Sequence, residues 1–115
     1  MRILITGCST GFGRATAVEA TRRGHEVIAT ARDVATLDDL DVAERLSLDV
    51  TDRASITAAV AQAGRLDALV NKAGVDRHGP VVSYPAGVAQ WVMATTFWGT
   101  FRMTAAVAPA MRAPG

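Results

Sequence analysis

The segment Thr6-Gly7-Cys8-Ser9-Thr10-Gly11-Phe12-Gly13 carries the clearest chemistry in this chain of 115 residues. It joins a short apolar run, residues 2–6, to an alanine-rich stretch over residues 13–23. Three glycines in a strand-to-helix turn have separate uses. Gly7 lets the chain leave the strand sharply, Gly11 lets backbone approach a ligand that a Cβ would hold off, and Gly13 lets the helix lie close on the sheet. A helix entered in this way offers unpaired amide N–H groups and the positive end of its dipole, a combination that suits an anion. Ser9 and Thr10 add hydroxyl donors. The chemistry this implies is the holding of a diphosphate.

Three further groups fall where later strands end, and open parallel sheets bind ligands at those carboxyl ends. After the second strand stand Ala31, Arg32 and Asp33. Ala31 has nothing to offer a ribose diol, whereas Arg32 can pair with a 2′-phosphate and stack on adenine. NADP(H) is therefore the expected cofactor, with Asp33 keeping NAD(H) open. Asp49 and Val50 close the third strand. An aspartate there accepts from an adenine amino group, or else caps the next helix together with Thr51 and Asp52; the spacing allows both. Asn71-Lys72-Ala73-Gly74 closes the fourth, where small Ala73 and Gly74 let backbone lie beside a ribose.

These groups need a frame, and the pattern supplies one. Strands are predicted over residues 2–6, 26–31, 45–49 and 67–71, and helices over 13–23, 52–63 and 86–111, with a short helix over 34–40 and a loop over 74–85. Gly24 and Gly64 stop the first two helices. In the long third helix Val88, Val92, Thr96, Gly99, Met103, Val107 and Met111 mark one stripe, Trp91, Trp98 and Arg102 lie off it, and Pro109 kinks or ends it. Alternating strands and helices imply right-handed crossovers and a parallel sheet in the order 3-2-1-4, a Rossmann-type three-layer α/β fold in a single domain over residues 1–115.

Composition narrows the alternatives. Half the residues are hydrophobic, a fifth are charged, and the net charge is +1. Such a chain has no basic field for nucleic acid and no acidic tail. No apolar run approaches a membrane span. The lone Cys8 reads as a small residue in a tight turn and fits a reducing, cytoplasmic setting. His25 and His78 have no nucleophile or metal partner nearby in sequence and read as solvated.

Taken together, the Thr6–Gly13 turn (TGxxxGxG), Arg32, Leu48-Asp49-Val50, Gly64-Arg65-Leu66-Asp67, Asn71-Lys72-Ala73-Gly74, Trp98-Gly99-Thr100 and Ala108-Pro109-Ala110-Met111-Arg112 resemble the short-chain dehydrogenase/reductase family along essentially the whole chain. The resemblance implies an oxidoreductase that moves a hydride between nicotinamide C4 and a carbonyl or alcohol carbon. It also implies a serine, a tyrosine and a lysine four residues after that tyrosine, with a helix asparagine supporting a proton relay.

The chain departs from that pattern at the reacting groups. Its one tyrosine is Tyr84, with Val88 four residues on, and its one lysine is Lys72. Thr96 occupies the position of the helix asparagine, and Lys72 replaces the second asparagine of the family's NNAG. The family domain is about twice as long. A truncated chain that holds a dinucleotide with negligible turnover is thus expected, alongside two alternatives: a binding module without chemistry, and an interaction protein that binds no nucleotide. With no strand beyond the fourth, that edge and the helix over 86–111 would expose apolar surface, so self-association or poor stability of the isolated chain is expected.

Overall fold

The computed structural model describes residues 1–75 and 78–113. Strand β1 (Arg2–Ile5) is central, and its Ile3, Leu4 and Ile5 present buried apolar side chains to both faces. Leu4 packs to one side with Ile28, while Ile3 and Ile5 pack to the other with Val27 and Ala29. Strand β2 (Glu26–Ala31) lies on one side of β1 and β4 (Ala68–Val70) on the other, with β3 (Glu44–Ser47) outside β2. All pairings are parallel and the order is 3-2-1-4, as the β-α alternation requires. Ile5 is level with Ala29 and Val70, so the chain leaves β1 at the carboxyl end that it shares with both neighbours.

Helices cover both faces. Helix α1 (Gly11–Arg22) buries Ala17 on the face of Ile3, Ile5, Leu37 and Leu40. Helix α2 (Arg53–Ala63) buries Ile56, Ala59 and Ala63 against Leu4, Ile28 and Leu46. On that same face the chain closes with a continuous helical stretch built of α3 (Ala86–Val92), a π-helical segment (Met93–Trp98) and α4 (Gly99–Arg112), which adds Met103 and Val107 to the core. Helix α1 ends at Arg22 with the amides of Gly24 and His25 donating to Thr21 and Ala20, a cap that needs the positive φ of Gly24.

Several boundaries move from their sequence positions. The helix expected over 13–23 starts two residues earlier, although Gly11, at φ +64°, is not itself helical. The strands expected over 45–49 and 67–71 give way to Glu44–Ser47 and Ala68–Val70, because the amides of Asp49 and Thr51 donate to the side chains of Ser55 and Asp49, and those of Lys72 and Ala73 to the Thr6 hydroxyl. The short helix expected over 34–40 is a single 3-10 turn (Val34–Leu37), and another (Val81–Ser83) interrupts the expected loop over 74–85. Pro109 lies inside α4, which runs on to Arg112. The proline removes one amide donor close to the helix end, where one lost bond is tolerated. His25 is half-buried, with Nδ1 3.1 Å from the amino-terminal nitrogen, so it is not the solvated side chain expected; His78 is exposed.

At the amino ends of the strands Arg2 gathers much of the sheet. Its guanidinium donates to Glu26 on β2, to Glu44 on β3 and to the carbonyl of Ala63 at the end of α2, while its amide donates to Asp67 just before β4. Among the described residues no arginine ties the carboxyl ends of the strands together in this way. Among the described residues no helix is long and apolar enough to cross a membrane.

Candidate functional site

A cleft of about 250 Å³ opens at the carboxyl ends of the strands. The turn after β1 forms its floor: Gly7, Ser9, Thr10, Phe12 and Gly13 line it. The turn is tight for a definite reason. A Cβ on Gly13 would lie 2.0 Å from the Gly7 carbonyl oxygen, and one on Gly7, at φ +70°, would lie 2.8 Å from Ala73 Cα. Gly11 differs: its φ is +64°, yet an added Cβ would meet open space within 4 Å. The third glycine serves packing, the first serves both packing and a positive φ, and the middle one serves conformation and leaves room above the backbone.

Helix α1 begins at this floor. Its N-cap, Thr10, makes no side-chain cap bond, and no acidic residue occupies the first turn. The amides of that first turn have no intrahelical acceptor. Helix α2 shows the contrast, because Asp52 caps it by accepting from the amides of Ala54 and Ser55. The amino end of α1 therefore carries uncompensated positive potential toward the cleft.

One wall comes from β2 and β3. Ala31, Arg32, Leu48, Asp49 and Val50 line it. Arg32 is exposed and forms no ion pair among the described residues; its carbonyl accepts from Ser47. Capping α2, one of two roles open to Asp49 from spacing, falls to Asp52 alone. The carboxylate of Asp49 instead accepts from the Thr51 hydroxyl at 2.6 Å and the Thr51 amide at 2.9 Å. Those bonds hold it below the usual aspartate range, with a smaller contribution from the charge of Arg32.

The opposite wall follows β4. Buried Thr6 fixes it: the Thr6 hydroxyl accepts from the amides of Lys72 and Ala73, each at 2.8 Å. Lys72, Ala73, Gly74 and Val75 line the cleft here, joined by Thr95 from the π-helical segment. Val50 is in turn met by Gly99, where a Cβ would lie 2.5 Å from Val50 Cγ2, so α4 can approach only because that position is glycine.

Two residues singled out from sequence point elsewhere. Asn71 donates its side-chain amide to the Thr104 hydroxyl on α4 at 3.1 Å and lines a different cavity, between β4 and α4, with Leu69, Val107 and Met111. Thr96 clamps the loop after β4, its hydroxyl donating to the Val75 carbonyl and accepting from the Val75 amide. Thr95, which spacing did not mark, faces the cleft in its stead. Cys8 is buried under the turn, its thiol directed to the Ile5 carbonyl and pushed up by burial, as its reading as a small packing residue requires. Among the described residues no cluster of histidine, cysteine and acidic side chains could hold a metal.

Comparison with known proteins gives one answer. The family model described as short chain dehydrogenase matches residues 1–115. The chain is 37% identical to 3-ketodihydrosphingosine reductase of Bacteroides thetaiotaomicron, over 96% of this chain and 42% of that protein. It is 37% identical to NADPH-dependent 1-acyldihydroxyacetone phosphate reductase of Schizosaccharomyces pombe, over 90% and 38%. A crystal structure of a short-chain dehydrogenase from Streptomyces avermitilis superposes with a TM-score of 0.88 at 40% identity, over 96% of this chain and 44% of that one. The chain thus spans about 40% of the length of such curated relatives.

Proposed function

Because the chain belongs to the short-chain dehydrogenase/reductase family, we propose that its cleft holds a nicotinamide dinucleotide, NADP(H) in preference to NAD(H), as the cofactor-binding part of an oxidoreductase. The observation that carries this reading is the uncapped amino end of α1 above an open Gly11. A diphosphate fits such a place, since backbone amides supply its hydrogen bonds and no side chain need give way. The bound cofactor supplies hydride exchange at nicotinamide C4 with a carbonyl or alcohol carbon.

The residues divide the binding between them. Gly7, Ser9, Thr10, Gly11, Phe12 and Gly13 form the floor for the diphosphate. Arg32, exposed at the end of β2 and without an ion pair among the described residues, reads the 2′-phosphate. Asp49 and Val50 flank the adenine, and Ala73 and Gly74 let the ribose lie close to β4. Asn71 contributes through its place in the strand-ending turn, since its side chain is bound to Thr104. A relative whose name states NADPH dependence supports the NADP(H) preference.

The 115 residues contain no Tyr-x-x-x-Lys pair, so turnover by them alone is negligible in this reading. The cavity lies just below the range of about 300–1,000 Å³ usual for small-molecule sites, as suits one part of a larger site. We further propose that the chain pairs with a second copy of itself through the exposed aromatic face of the long helical stretch. The test of cofactor choice is a fluorescence titration with NADPH and NADH, repeated with Arg32→Ala. The expected result is tighter binding of NADPH in the wild type, lost in the variant. Equal affinities overturn the preference, and absence of binding overturns the cofactor reading.

A further inference from the structure

Lys72 stands at the one position of the turn after β4 where a charge replaces the asparagine of the family pattern, and its surroundings give that charge a use. Its main chain is fixed. The amides of Lys72 and Ala73 share the Thr6 hydroxyl, and a Cβ on Gly7 would lie 3.0 Å from the Lys72 carbonyl carbon. The residue is therefore held against the glycine turn, and only its side chain is free to move. Its Nζ lies 5.2 Å from the centroid of the Phe12 ring, in cation–π range. Phe12 belongs to the first turn of α1 and is 77% exposed. Both residues line the cleft, and Lys72 has no ion pair among the described residues.

The sheet order places this charge. β2 and β4 lie on opposite sides of β1, so Arg32 and Lys72 flank the glycine turn from opposite sides. Resting on the dinucleotide reading above, we propose that Lys72 is a binding residue for the cofactor's diphosphate, its ammonium held on the Phe12 ring in the free protein and swung onto the phosphate oxygens when the amino end of α1 is filled. A cation on an exposed ring is weakly held, whereas an ammonium donating to a phosphate makes a charge-assisted bond, so the exchange runs toward the anion. The two cations then have distinct duties. Arg32 distinguishes NADPH from NADH, and Lys72 serves the diphosphate that both cofactors share.

The experiment is a titration of wild type, Lys72→Asn, Lys72→Arg and Arg32→Ala with NADH and with NADPH at low and high salt, with folding checked by circular dichroism. Lys72→Asn installs the residue of the family pattern, and Lys72→Arg keeps the charge. Loss of one charge-assisted bond weakens Lys72→Asn about tenfold to a hundredfold toward both cofactors alike. Lys72→Arg stays close to wild type, and the gap between wild type and Lys72→Asn narrows as salt rises. Wild-type binding with an unaffected Lys72→Asn overturns this inference alone. A loss confined to NADPH, or an equal loss in Lys72→Arg, overturns it as well. No binding by the wild type to either cofactor overturns the dinucleotide reading, and this inference with it.

Discussion

Replacing Thr6 by valine removes one oxygen and keeps the branched shape, which makes it a clean probe of how the turn is held. Thr6 is 1% exposed, and its hydroxyl accepts from both the Lys72 and Ala73 amides at 2.8 Å. Its own amide bond to the Val70 carbonyl is unaffected by the change. Valine therefore leaves two amides without an acceptor. A stranded buried donor costs about 1–3 kcal/mol. These two are only partly buried, so water reaches them in part and the lower end applies, about 2–3 kcal/mol in total. Set against a usual stability of about 5–15 kcal/mol, that is a large share. For a domain of this size it lowers the melting temperature by about 10 °C. Thr6→Ser keeps the hydroxyl and loses one methyl, for about 1 kcal/mol. Calorimetry of the three proteins tests the order, and hydrogen exchange should accelerate at Lys72 and Ala73 in the valine variant. A Thr6→Val protein that melts within about 2 °C of wild type, or above Thr6→Ser, refutes the reasoning, for then the shared hydroxyl does not hold the wall against the turn.

Gly13→Ala places a methyl 2.0 Å from the Gly7 carbonyl oxygen, a clash that only backbone movement relieves; the expected loss is about 2–4 kcal/mol, read as a fall in denaturant midpoint, and a midpoint equal to wild type counts against the turn geometry. Stability is expected to fall on acidification. Arg22 and then Arg23 hold the Glu19 carboxyl down to about 2, Arg14 lowers Asp39, and the Arg2 amide lowers Asp67. These folded-state values lie below the unfolded ones, so the stabilisation is full above the ordinary carboxylate range and is lost as the pH drops toward about 2. Melting curves from pH 7 to pH 2 check this, and since these groups are exposed, added salt should flatten the profile. The proposed pairing of two copies rests on Trp91, Met93, Phe97, Trp98 and Phe101, all exposed large apolar residues on one helical stretch. Sedimentation velocity is expected to give a dimer that Trp98→Ser with Phe101→Ser converts to monomer, and a wild-type monomer at tens of micromolar would disprove it.

The strand order and the position of the cleft were legible because they follow from short-range signals. Apolar runs end at glycines, and parallel connection leaves few arrangements. That the turn after β1 needs glycine at positions 7 and 13 is also written in the spacing, and the contacts an added Cβ would make there give the reason. Side-chain direction was less legible. Asn71 follows a strand of three residues and turns toward Thr104, a partner 33 residues away that no local pattern reveals. Thr96 holds the place of the helix asparagine in the family pattern, which says nothing of where its side chain points. The π-helical segment widens that turn, and Thr95 faces the cleft while Thr96 holds Val75. Thr6 looked like the last residue of a strand, and its capacity to accept from two distant amides shows only once β1 and β4 are adjacent. Leu48 and Val75 line the cleft for the same reason, by proximity that the fold creates.

The central position of β1 also bears on the order in which the chain can assemble during synthesis. Strand β1 gains one neighbour when residues near 31 exist, but its other side waits for residues 68–70. At about 5–20 residues per second the ribosome needs about two to eight seconds for that interval. For those seconds one edge of β1 keeps its N–H and C=O groups unpaired, a template on which a foreign strand can add.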